Sequence, residues 1–200
     1  MEFRASFERF DERDWDTRPD GTVRLAVVGV GGFARGVVLP SIADADYVEP
    51  TVLVSGSPDT EAVAEDRGCD LIGYDAYADG ALADAYDAVY VATPNALHLP
   101  HAETAAGLGK AVICEKPLEA TAGRAERLVA ACDDAGVTLM TAYRMQTDPV
   151  MRRLRAFIAA GGTGGEPSDE LMYEPVRACP VRDPSGTHIL IISPLPHATS

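Results

Sequence analysis

The spacing of apolar and polar positions changes rhythm along the chain. Residues 1–22 are polar and charged, with Phe3, Phe7, Phe10 and Trp15 at near-helical spacing. This predicts a short amphipathic lead-in that packs on the domain behind it. Val23–Val28 is a β-rich run ending at Gly29, read as a buried strand. A helix is expected over 33–44, interrupted or kinked at Pro40. Thr51–Val54 reads as a second strand, and 59–67 as a helix that opens with acids, as helix N-termini prefer. Next come a strand at Ala88–Ala92, a helix over 97–108 ending near Gly107 and Gly109, and a strand at Ala111–Cys114. Residues 122–135 place Ala125, Leu128, Val129 and Cys132 on one helical face, with Thr121 as cap before it and Gly136 after it. A strand at Val137–Ala142 and a helix at 149–160 complete the series. Helices alternating with mostly continuous apolar strands predict a doubly wound parallel α/β sheet, covered on both faces.

After Gly165 the rhythm stops. Residues 167–200 hold 6 of the 14 prolines, and no Asp, Glu, Lys or Arg occurs from Pro184 to Ser200. Only Ile189–Ile192 reads as a strand there. The expected organisation is a lead-in at 1–22, one α/β domain at 23–160 and an irregular tail at 161–200.

Charge narrows the choice of partners. Thirty-one acids against 17 Lys and Arg give a net charge of −14. Such a surface repels phosphate backbones and anionic membranes, so neither nucleic acid nor membrane is an expected partner. The acids are interspersed, as in Asp59, Glu61, Glu65 and Asp66. That pattern fits either adaptation to a salt-rich cytoplasm or an ordinary acidic surface. The four cysteines, Cys69, Cys114, Cys132 and Cys179, form no CxxC pair, so no metal site and no disulfide framework is expected. Cys114 and Cys132 lie in apolar runs and are expected to be buried. The N-terminus has no apolar core of a signal peptide, and no apolar run is long enough to span a membrane, so a reducing cytoplasm is the expected setting.

The chemistry begins at the first turn. Gly29-Val30-Gly31-Gly32-Phe33-Ala34 is a GxGxxA sequence between a strand and a helix. In a dinucleotide-binding turn, the first glycine permits a sharp bend and the second lets the backbone approach a pyrophosphate. The alanine lets helix and strand pack closely. Helix N-terminal amides favour the phosphates. The second strand ends in Ser55-Gly56-Ser57, where an acid usually takes the ribose hydroxyls. Two hydroxyls and a glycine leave room for a 2′-phosphate, so NADP is the expected cofactor and NAD the second choice. Arg35 is either a phosphate partner or a solvent-exposed helix residue.

Three further segments end strands on the side where open α/β sheets bind ligands. They are Thr93-Pro94-Asn95-Ala96-Leu97-His98, Glu115-Lys116-Pro117 and Tyr143-Arg144-Met145. With the glycine turn, this ordered set resembles the Gfo/Idh/MocA oxidoreductases, the Rossmann-type family of glucose–fructose oxidoreductase and inositol dehydrogenase. The resemblance covers about residues 23–166. Within the family the chain is most similar to the NADP-dependent D-xylose 1-dehydrogenase branch of salt-loving archaea, through AYDAVYVATPNALHLP, ICEKP and LMTAYRM.

The resemblance implies hydride transfer from an aldose or polyol to NADP. It places Thr93, Pro94, Asn95 and His98 along the cofactor near its nicotinamide end, although loop and helix capping suits Asn95 and His98 equally. It implies that Lys116, between Glu115 and Pro117, reaches both the nicotinamide ribose and the substrate. The alternative for Lys116 is a surface salt bridge. Arg144 matches a position close to the cofactor, with a structural ion pair as the alternative reading.

In the family the general base comes from a second α+β domain, through which members often form homo-oligomers. No DxGxH-like segment occurs in 167–200, and Tyr173, His188 and His197 lack the family context, so no base is assigned. The composition of the tail suggests a truncation or a change of reading frame. Two functions therefore stand from sequence. One is an NADP-dependent sugar dehydrogenase; the other is a catalytically inactive NADP-binding remnant.

Overall fold

The computed structural model describes residues 21–143 together with two strands, Arg177–Arg182 and His188–Ser193. The lead-in at 1–20, the helix expected at 149–160, and Arg144, Tyr173 and His197 lie outside the described residues.

Six parallel strands form one sheet: β1 (Val23–Val28), β2 (Val48–Val54), β3 (Asp70–Ile72), β4 (Ala88–Val91), β5 (Ala111–Cys114) and β6 (Leu139–Thr141). Their order is β3-β2-β1-β4-β5-β6. Each connection crosses over through helix or turn: α1 (a π segment, Ala34–Val38, continuing as α-helix over Leu39–Ala43), α2 (Thr60–Arg67), α3 (Tyr74–Ala78), α4 (His98–Gly107) and α5 (Ala122–Asp134). Strand residues alternate between two cores, as the pleat requires. Leu25 and Val27 of β1 pack with Val38, Leu39 and Ile42 of α1, whereas Ala26 and Val28 belong to the core with Leu99 and Ala102 of α4 and Leu128 of α5. The doubly wound α/β architecture expected from the apolar runs is the one observed.

Several local expectations are corrected. Strand β2 starts at Val48, not Thr51. A register shift between Leu25 and Ala26 leaves Thr51 without a partner, next to Pro50, which cannot donate to a ladder. Strand β3 and helix α3 were not expected from the apolar pattern. β3 is a three-residue edge strand, and α3 is too short for a periodic face. Pro40 does not break α1. It sits in the first turn of the α segment, just after the π segment, where its missing N–H is tolerated. The helix expected at 97–108 is a 3-10 turn, Asn95–Leu97, followed by α4. Strand β6 is shorter than Val137–Ala142. Thr121 occupies the N-cap position of α5 with extended backbone, but its side chain makes no capping bond; Gly136 takes the left-handed conformation beyond the helix end.

In the tail, β7 (Arg177–Arg182) and β8 (His188–Ser193) form a separate antiparallel pair, with Pro180 opposite Leu190. The expected strand at Ile189–Ile192 lies within β8. β7 was concealed by its proline. Among the described residues, no helix is long and apolar enough to cross a membrane.

Candidate functional site

Register sets the site. Ile72, Val54, Val28, Val91, Cys114 and Thr141 form one row across the sheet at the carboxyl ends of β3, β2, β1, β4, β5 and β6. Ladder bonds continue one residue further. The Gly29 amide donates to Val54 O (3.0 Å), Ala92 N to Val28 O (2.8 Å), Glu115 N to Val91 O (3.0 Å) and Ala142 N to Cys114 O (2.8 Å). The glycine turn, the serine loop after β2, the 93–98 segment and the Glu115-Lys116-Pro117 segment thus leave from a single edge. Open α/β sheets bind ligands at such an edge, where the strand order reverses about β1.

The glycines of the turn have different reasons to be glycine. Gly29 has φ +92°, and a Cβ there would stand 2.8 Å from both Thr93 Cγ2 and Thr93 N and 2.9 Å from Ala92 C. Its need is internal. Among the described residues, a Cβ on Gly31 or Gly32 would meet no atom within 4 Å, and neither has a positive φ. Gly31, Gly32 and Phe33 are exposed, while Ala34 is buried against the strand face, as close packing of helix on sheet requires. Thr93, only 8% exposed, has a hydroxyl Oγ1 with no hydrogen-bond partner. Buried hydroxyls are ordinarily satisfied. A glycine turn with open space at Gly31, and an orphaned hydroxyl on the Thr93 that packs against Gly29, fit a phosphate-bearing dinucleotide.

At the end of β2, the Thr60 hydroxyl donates to Ser55 Oγ (2.9 Å), and the Ser57 amide donates to the same oxygen (3.1 Å). Gly56 and Ser57 are exposed. Arg35 is neither free nor fully exposed. Its Nε donates to Val30 O (2.9 Å) and its Nη2 to Thr60 Oγ1 (3.2 Å), which holds a cation between the glycine turn and the serine loop. The Tyr74 ring stands beside Gly56 and stacks on His101, with centroids 5.3 Å apart.

Across β1 lie the segments after β4 and β5. Lys116 is exposed, its backbone amide donates to Glu115 Oε2 (3.1 Å), and the Lys116–Pro117 peptide is cis. Among the described residues the Lys116 side chain makes no ion pair. Tyr90, from inside β4, donates to Glu115 Oε1 (2.6 Å). Burial, then the neighbouring Glu115 charge and that hydrogen bond, push the phenol well above its ordinary range, so it stays a donor. Pro94 is exposed, and Asn95 Oδ1 accepts from the Ala96 amide (3.0 Å), a local loop bond.

His98 is 1% exposed. Its Nδ1 lies 3.0 Å from Leu118 O and its Nε2 2.8 Å from Thr93 O. Both ring nitrogens face carbonyl oxygens; the nitrogen that carries the proton donates to one of them, Leu118 O from Nδ1 or Thr93 O from Nε2, and neither nitrogen is free at the edge.

Beside it, Glu119 accepts four hydrogen bonds. Oε1 takes Leu99 N (3.1 Å) and Arg124 Nη2 (2.8 Å); Oε2 takes Ala120 N (2.7 Å) and Arg124 Nε (2.9 Å). The Arg124 hydrogen bonds, with the two amides, hold the carboxyl down at about 2 despite burial.

Tyr90, Glu119 and Arg124 were not anticipated from sequence. Arg124 offered a signal, since a cation in the first turn of a helix opposes the dipole unless an acid meets it there.

Comparison with known proteins shows the family. A family model described as an oxidoreductase family with an NAD-binding Rossmann fold matches residues 23–143. The D-xylose 1-dehydrogenase [NADP(+)] of Haloarcula marismortui is 50% identical over 160 residues, covering 78% of this chain and 44% of that protein. The D-xylose 1-dehydrogenase (NADP(+)) 2 of Haloferax volcanii is 31% identical, covering 68% of this chain and 42% of that one. Among solved structures, an aldose-aldose oxidoreductase from Caulobacter crescentus superposes with a TM-score of 0.65 at 32% identity, over 70% of this chain and 43% of its own. A 3-ketoreductase from Actinomadura kijaniata in complex with NADP gives 0.62 at 30% identity, over 70% of this chain and 45% of its own. The chain spans somewhat under half the length of each of these relatives.

Proposed function

Since the chain belongs to the Gfo/Idh/MocA family of NAD-binding Rossmann oxidoreductases, we propose that it holds NADP along the carboxyl edge of its sheet and serves hydride transfer between that cofactor and an aldose, D-xylose first. NAD stands second. The observation that carries the reading is the pair Gly29 and Gly31. The fold needs a glycine at the first, whereas nothing in the fold needs one at the second. A close-approaching ligand supplies that need.

In this reading the backbone of Gly31, Gly32 and Phe33 meets the pyrophosphate. Ser55, Gly56 and Ser57 surround the adenosine ribose, where the Arg35 guanidinium favours a 2′-phosphate. Thr93, Pro94 and Asn95 run beside the nicotinamide half, with the Thr93 hydroxyl as a donor in waiting. Glu115 and Pro117 hold Lys116 toward the substrate, and Arg144 is assigned to the cofactor. When bound, the nicotinamide supplies the acceptor for the hydride. Lys116 would donate a hydrogen bond to the sugar oxygen that becomes the carbonyl as the C–H hydride leaves for the nicotinamide, and the hydroxyl proton would pass to a general base of the kind that the family's second domain supplies. The sugar is recognised by hydroxyl hydrogen bonds, without nucleic acid or membrane as partner. The acidic balance is read as adaptation to a salt-rich cytoplasm, and association into homo-oligomers is expected of the whole protein.

Titration of the chain with NADP and NAD in high salt, then absorbance of reduced nicotinamide with D-xylose, tests the proposal. Tighter NADP binding and xylose-dependent reduction are expected. A folded chain that binds neither nucleotide overturns the cofactor assignment. Binding without reduction by any aldose overturns the substrate assignment.

A further inference from the structure

The Glu119 carboxylate has 0% of its side chain exposed. Its four hydrogen bonds fill the positions a carboxylate offers. One comes from Leu99 N, among the amides left unpaired at the start of α4. Two come from Arg124, in the first turn of α5, whose Nη2 also reaches Ala96 O (2.9 Å) in the segment after β4. The same two loops are joined a second time by His98, between Thr93 O and Leu118 O. The segments carrying Thr93 and Lys116 therefore meet at the His98 imidazole and at one ion pair, whose carboxylate is buried and whose guanidinium is 38% exposed. Replacing the buried carboxylate by an amide leaves Arg124, which solvent reaches, but removes the charge that strengthens the bonds from Leu99 N, Ala120 N and Arg124 and so loosens the link between the loops. Among the described residues, what links α4 to the Ser55–Ser57 loop on the other side of β1 is a ring stack, Tyr74 on His101 beside Gly56, and no ion pair.

Building on the cofactor assignment above, we propose that Glu119 and Arg124 are positioning residues that set the 93–98 segment against Lys116, and so govern binding of the nicotinamide half of the cofactor but not the adenosine half.

The test uses the chain in high salt, titrated with NADPH and separately with 2′,5′-ADP, which carries only the adenosine end. Glu119→Gln keeps the shape but loses the charge. The expected result is about tenfold weaker NADPH binding, with 2′,5′-ADP binding changed by less than about twofold. A merely structural role would weaken both ligands together. Arg124→Lys keeps a cation without the planar fork, and it serves if Glu119→Gln does not fold; the same split is expected at about threefold. Equal weakening of both ligands, or no change in either, overturns the inference while leaving the cofactor assignment intact. A parent chain that binds neither ligand overturns both.

Discussion

Gly29 and Gly31 stand two residues apart in one turn, yet they answer to different demands. At Gly29 a methyl group meets backbone atoms at under 3 Å, and φ is +92°. Gly29→Ala should therefore cost about 2–4 kcal/mol of folding stability, read by denaturant unfolding. At Gly31 the protein offers no obstacle. Gly31→Val should melt near the parent temperature but fail to bind NADP, as a thermal melt and a titration on one sample will show. Normal NADP affinity in that variant would refute the pyrophosphate assignment. Lys116 belongs to the same scale. It is exposed, and only its amide is held, by Glu115. Lys116→Ala should abolish xylose-dependent turnover while leaving NADP affinity within about threefold of the parent. Unchanged turnover would remove Lys116 from the chemistry.

The elements meet through side chains that terminate them, and pH reads one such junction. Glu119 joins the start of α4 to the start of α5, and its carboxyl is held at about 2 by Arg124 and two amides, against an ordinary 4.5. A lowered acid stabilises the fold fully above its unfolded value and loses that contribution as pH falls toward the folded value. Unfolding free energy should thus decline between about pH 4.5 and pH 2, and Glu119→Gln should flatten that decline. An identical slope in parent and variant would show that other carboxylates carry the acid response. This junction also marks where the sequence was legible. The strands β1, β4 and β5 were readable because continuous apolar runs have few alternatives. β3 and α3 were not, being too short to show a period. The glycine turn between β1 and α1 was readable because glycines leave a local pattern. The Glu119–Arg124 pair has only a weak local pattern, since its partners Leu99 and Ala96 come from another crossover. For His98 the sequence offers a place along the cofactor or a capping role, and only geometry shows both of its nitrogens turned to carbonyls.

At the scale of the molecule, charge is the property that the fold leaves unbalanced. The net charge is −14, and acids such as Asp59, Glu61, Glu65, Asp66, Asp75 and Asp79 stand exposed near one another along the chain. Four ion pairs among the described residues, Arg24–Asp87, Arg67–Asp66, Arg124–Glu119 and Arg127–Glu103, engage only a minority of the acids. The rest repel one another, which favours expansion of the chain. Salt shortens the reach of that repulsion from about 10 Å at 0.1 M to about 3 Å at 1 M. The melting temperature should therefore rise by roughly 5 °C or more between those concentrations of KCl, a change worth a few kcal/mol for a chain of this size. Potassium chloride is the right probe because sulfate would also stabilise by exclusion from the surface. Sucrose supplies the control, since it is excluded without screening charge. A rise in KCl well beyond that produced by sucrose would mean that the acidic surface is a cost relieved by salt, as adaptation to a salt-rich interior requires. A melting temperature indifferent to KCl would mean that water already separates the acids, and the adaptation reading would fall while the fold and its cofactor edge stood.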